Sequence, residues 1–151
     1  MLTITPFLWF DTQAEEAMNY YASIFPRANV LSVHRANGRV MSVEYELEGQ
    51  KFMALNAGPQ FPFTEAISFF AGCETQQEID DLWSALTADG GAPSRCGWLK
   101  DKFGLSWQIV PNSLGRMLSD PDPAKANRVM NAMLQMEKLD LKRLQQAYNG
   151  E

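Results

Sequence analysis

Hydrophobic and polar positions along the chain alternate with period two in some stretches and recur with helical spacing in others, and the same succession occurs twice. The run 3–10 (TITPFLWF) is short, apolar and rich in aromatic and β-branched residues, which predicts a buried strand. Thr12 and Glu15 have capping-box spacing, and Ala17, Tyr20, Tyr21 and Ile24 then fall on one helical stripe that Pro26 ends. Three strands follow, at 29–36, 39–48 and 51–57. Asn37-Gly38 suits a tight hairpin between the first two, and Glu48-Gly49-Gln50 separates the second pair. The order is βαβββ.

The Gly/Pro-rich linker GPQFPF (58–63) interrupts the pattern, and the succession then restarts. The run 65–73 (EAISFFAGC) predicts a strand, and TQQE (75–78) repeats the earlier cap signal. Ile79, Leu82, Trp83 and Leu86 stripe the next helix. After the loop ADGGAPSR come two or three shorter strands, including CGWLKDK and LSWQIVP, joined near Phe103-Gly104. Strand alternation puts Ser106, Gln108 and Val110 on one face and Leu105, Trp107 and Ile109 on the other. Lys100 and Asp101 read as solvated hairpin residues. The expected organisation is a first module over 1–57, a second over 65–111 and a helical extension over 112–151. In the extension, Asp122-Pro123 and Asp140 are helix-start signals. Val129, Met130, Met133 and Met136 form a Met-rich stripe that reads as packing or as an adaptable surface.

Composition narrows the function classes. The chain has 151 residues, 46% of them hydrophobic, enough for a sizeable core in one domain or two small modules. A net charge of −5 and the absence of a basic run argue against nucleic acid as a partner. No apolar run approaches the roughly 20 residues of a spanning helix. The N-terminal MLTITPFLWFD has neither a basic region nor a small-residue cleavage site, so a soluble cytoplasmic protein is expected. The two cysteines, Cys73 and Cys96, read as reduced and structural.

Four stretches carry a resemblance: ITPFLWFDTQAEEAMNYYASIFP, AISFFAGCETQQEIDDLW, CGWLKDKFGLSWQIVP and VMNAMLQMEKLDLKRLQQAY. With them the chain resembles the vicinal oxygen chelate superfamily of glyoxalases, bleomycin-resistance proteins and dioxygenases. Within it, the chain is most similar to the PhnB-like family labelled 3-demethylubiquinone-9 3-methyltransferase. The resemblance implies an α+β fold of paired βαβββ modules, each a cupped sheet, enclosing a cavity, and it implies a homodimer. Metal-using relatives take ligands from the first and last strands of each module. Those positions fall near Pro6, Asn56, Ser68 and Gln108 here, a set with no charge and no imidazole. Zinc sites want about three His, Cys or carboxylate ligands, so no metal and no cofactor are expected. Asn56, Ser68, Trp98 and Gln108 are instead the expected contacts for a small apolar or aromatic organic molecule.

The label implies methyl transfer, yet the sequence has no GxGxG-like turn, and its element order is wrong for alternating parallel βα units. The reaction is left open, between metal-free binding, methyl transfer and metal-dependent chemistry. His34, Glu44, Glu46 and Asp11 are the acid–base candidates near the predicted sheets, and surface roles are expected for them.

Overall fold

A computed structural model describes residues 1–151, which form two compact units, Met1–Pro62 and Phe63–Glu151. The first holds β1 (Phe7–Phe10), α1 (Ala14–Ile24), β2 (Ala28–Ala36), β3 (Arg39–Leu47) and β4 (Gln50–Asn56). The second holds β5 (Ser68–Cys73), α2 (Gln76–Thr87), β6 (Ala92–Pro93), β7 (Trp98–Lys100) and β8 (Ser106–Pro111). It continues into α3 (Leu114–Leu118), α4 (Pro123–Met133) and α5 (Leu141–Asn149).

Each unit carries one four-stranded mixed sheet, ordered β1-β4-β3-β2 in the first and β5-β8-β7-β6 in the second. In both, the first strand pairs in parallel with the fourth, and the remaining pairs are antiparallel. The fold is therefore α+β, with the same strand order used twice.

Helix burial follows the predicted periodicity with small shifts. In α1 the buried stripe is Ala14, Ala17, Met18 and Tyr21, so Met18 replaces the outer positions Tyr20 and Ile24. This stripe lies against the sheet face of Leu8, Phe10, Val43, Tyr45, Phe52 and Ala54, all buried. In α2, Ile79 and Leu86 are buried, and the helix packs on β5, β7 and β8.

The two predicted caps behave differently. Thr75 and Glu78 form a complete capping box: the Thr75 Oγ1 accepts from the Glu78 N–H, and the Glu78 carboxylate accepts from the Thr75 N–H. Thr12 does not cap α1. Gln13 occupies the cap position without a side-chain bond, and the Ala14 N–H instead donates to Asn56 Oδ1 at 2.9 Å. The first strand is also shorter than predicted. Pro6 has no N–H to offer a ladder, and its carbonyl accepts from Met53 N just before β1 begins.

The C-terminal helices start where Asp122 and Asp140 predict. Asp122 Oδ1 accepts from the Ala124 N–H with Pro123 in the first turn, and Asp140 Oδ1 accepts from the Arg143 N–H. Their core joins Leu114, Met117, Val129, Met136, Leu139 and Leu144 to Val110 of β8. The Met stripe is thus partly core: Met136 is buried, whereas Met130 is 40% exposed.

Candidate functional site

Register and burial sort the second sheet into two faces. Leu99 of β7 opposes Trp107 of β8, and both are buried on the side that carries α2. Phe69 meets Trp107 edge-on there, at 5.4 Å between ring centroids. The opposite face therefore carries Ser68 and Phe70 of β5, Ser106 and Gln108 of β8, and Trp98 and Lys100 of β7. Phe70 and Gln108 are register partners on one side, and Trp98 and Gln108 on the other.

Three of the four sequence-predicted contacts come together on that face. Gln108 Nε2 donates to Ser68 Oγ at 2.9 Å, and the half-buried Trp98 lies directly opposite Gln108. Ser106, one pleat from Gln108, was not among the predicted contacts. It is fully buried, and its Oγ has no hydrogen-bond partner. Its face was legible from alternation; its unsatisfied hydroxyl was not. Phe70 adds an exposed aromatic ring beside the polar group.

Asn56 belongs elsewhere. It shares strand parity with the buried Phe52 and Ala54, on the α1 side of the first sheet. Its carboxamide is committed at both ends, with Oδ1 accepting from Ala14 N and Nδ2 donating to Val40 O at 3.2 Å. Asn56 is a helix cap held by a strand. Counting back from the ends of the matched strands, the first-unit counterpart of Gln108 is Met53.

The acid–base candidates are engaged or exposed. Glu44 pairs with Lys51, Glu46 accepts from Asn29, and His34 is exposed opposite Ser42 on β2. The Cys73 thiol is pushed up to about 11, mainly by burial and then by the Glu78 charge, so it stays protonated and unreactive near neutrality. Lys100 binds Glu65 at the border of the Gln108 face. That hydrogen bond is the main reason the Glu65 carboxyl sits below its usual range.

The hairpin after Lys100 overturns one expectation. Asp101 is 2% exposed. Its Oδ1 accepts from Phe103 N (2.9 Å) and Leu105 N (3.1 Å), and its Oδ2 accepts from Trp107 Nε1 (3.0 Å). An indole N–H buried against a helix needs an acceptor, and this carboxylate supplies it.

The family model described as 3-demethylubiquinone-9 3-methyltransferase matches residues 2–110. This chain belongs to that family. A PhnB protein from Bacillus cereus, named for the same methyltransferase, is 36% identical with a TM-score of 0.68, over 73% of this chain and 99% of its own. A protein from Pseudomonas aeruginosa shares the fold at 21% identity and a TM-score of 0.59, over 74% of this chain and 98% of its own. So does a glyoxalase/bleomycin resistance protein from Albidiferax ferrireducens, at 12% identity and a TM-score of 0.50, over 72% and 98% of the two chains. None of the curated proteins matches.

The 3-demethylubiquinone-9 3-methyltransferase family name implies a methyl donor, and the superfamily resemblance seen in the sequence implies a metal in some of its members; the residues fit neither. The strand-to-helix turns are Asp11–Gln13 and Glu74–Thr75, with no glycine to let a donor approach the backbone, and the α2 N-terminus is closed by its own capping box. No group of three or more His, Cys, Asp or Glu side chains is gathered anywhere to hold an ion. Ser68 and Gln108, the second-unit positions that the resemblance pointed to, carry neither charge nor imidazole and bond each other.

Proposed function

We propose that this 3-demethylubiquinone-9 3-methyltransferase family member binds a small, neutral, apolar or aromatic organic molecule on the Gln108 face of its second sheet, without a metal ion. The observation that carries this reading is the uncharged polar cluster of Ser68, Ser106 and Gln108 flanked by Trp98 and Phe70. The Gln108 carboxamide and Ser68 hydroxyl still have bonding capacity beyond their mutual bond. The aromatic neighbours supply apolar area and ring contacts. The engagement of Glu44, Glu46 and Glu65 in pairs favours binding over acid–base turnover.

2-Naphthol, an uncharged aromatic with one hydroxyl, is a suitable calorimetric probe. Wild-type protein is expected to bind it, and Gln108→Leu to weaken binding about tenfold, near 1.4 kcal/mol. Protein purified without chelator is expected to carry far less than one equivalent of Mn, Fe, Ni or Zn. No heat with the wild type, or a stoichiometric metal whose removal abolishes binding, would overturn the reading.

The same reading includes a homodimer and a cytoplasmic location. Support for the dimer comes from β2, a nine-residue edge strand with Val30 49% and Leu31 46% exposed. Long apolar edges need covering, and pairing with a second copy is one way. Light scattering at micromolar protein is expected to give twice the 17.0 kDa chain mass; the mass of one chain would remove this claim. No helix is long and apolar enough to cross a membrane.

A further inference from the structure

The family match stops at residue 110, and the Bacillus cereus relative is spanned almost end to end by 73% of this chain. The helices α3 to α5 therefore lie beyond the shared part, and the stretch 129–148, read from the sequence as carrying the resemblance, falls outside the family match. Yet the C-terminal region grips two of the three strands of the Gln108 face, β8 and β7. On β8, Val110 stands two residues beyond Gln108 on the same face and is part of the C-terminal core. On β7, the two residues preceding Trp98 are held by backbone bonds from the C-terminal segment. Cys96 N donates to Met136 O and Gly97 N to Glu137 O, each at 2.8 Å.

The bonds at Cys96 and Gly97 fall on an unusual piece of backbone. Cys96 has φ 59° and Gly97 φ 86°, two consecutive left-handed residues. That conformation is unfavourable for a side-chain-bearing residue such as Cys96. A Cβ at position 97 would lie 2.9 Å from Ile109 O and 3.0 Å from Leu139 Cδ1. The direction in which Trp98 enters β7 thus depends on the segment packed against it.

One side chain of the shared part clamps that segment. Gln76, in the first turn of α2, donates from Nε2 to Leu139 O (3.0 Å) and accepts at Oε1 from Leu141 N (2.7 Å). Beside it, Lys138 bonds Asp80 at 2.8 Å. This bond, with a lesser one from Gln76, holds the Asp80 carboxyl below its ordinary range.

We propose that the segment 136–141 is a positioning strap for the ligand face, with Gln76 as the positioning residue that fixes Trp98 against Gln108. The proposal rests on the reading that this face binds a neutral aromatic molecule. It gives this chain a ligand-specificity element that the shorter relatives lack.

The test is fluorine NMR on protein labelled with 5-fluorotryptophan, with the Trp98 signal assigned by Trp98→Phe, alongside 2-naphthol titration. Gln76→Ala is expected to shift or broaden the Trp98 resonance, leave that of Trp9 in place, and weaken 2-naphthol about fivefold. Gln76→Glu keeps the acceptor for Leu141 N and loses the donor to Leu139 O. It is expected to give a smaller change in the same direction, and it decides the matter if the alanine variant does not fold. A Trp98 resonance unmoved in a folded variant overturns the strap, as does a moved resonance with unchanged affinity. Failure of the wild type to bind 2-naphthol counts against the ligand reading alone, because the Trp98 resonance still reports whether the strap positions that ring.

Discussion

Asp101→Ala is expected to be among the most destabilising single changes outside the apolar core. It removes the acceptor of three N–H groups at once, those of Phe103, Leu105 and the Trp107 indole. At a 2% exposed position, water cannot readily replace what is lost. Hydrogen bonds to a charged group contribute about 1.5–3 kcal/mol each, and orphaned buried donors add to the cost, so a loss of about 3 kcal/mol or more is expected. For a domain of this size that lowers Tm by about 10 °C. Asp101→Asn separates the contributions: its carbonyl oxygen retains the two backbone bonds, while its NH2 opposes the indole N–H. The asparagine variant should fall between wild type and alanine in thermal melts. A melting point for Asp101→Ala within 2 or so degrees of wild type would show that the carboxylate is dispensable.

Leu139→Ala is the second large effect expected. Leu139 is completely buried and belongs to the core shared by Val110 and the C-terminal helices. Truncating a buried leucine costs about 2–5 kcal/mol, more where the cavity cannot collapse. Collapse is resisted here because the neighbouring backbone is fixed by Gln76 on one side and by the Cys96 and Gly97 amides on the other. Urea unfolding should show a midpoint well below that of wild type, and hydrogen exchange should show lost protection concentrated in α4 and α5. An unchanged midpoint would mean that this core contributes little to the second unit.

What the sequence showed, and what it hid, follows from whether the partners were local. The repeated βαβββ order was readable because strand alternation, helical stripes and turn residues act over a few positions. TQQE told the truth because Thr75 and Glu78 close their box within one turn. TQAE misled because the donor at the start of α1 is met by Asn56, 42 positions away, and no spacing rule sees that. The same bond engages the Asn56 carboxamide on the α1 side of the first sheet. Gln108 and Ser68 were singled out by the family resemblance, and parallel pairing of β5 with β8 brings them together across 40 residues. Asp101 was missed because an Asp before Lys-Phe-Gly looks like a solvated turn. The available signal was Trp107, whose inward-facing indole required an acceptor nearby.

The parallel pairing of each first strand with its fourth has a consequence for how the chain is made. Emerging from the ribosome, Phe7–Phe10 has no neighbour to bond until Gln50–Asn56 has followed it out. Ser68–Cys73 waits in the same way for Ser106–Pro111. Such distant pairings are slow to form. Synthesis therefore exposes an unmatched apolar ribbon twice, and each interval ends only when the closing strand arrives.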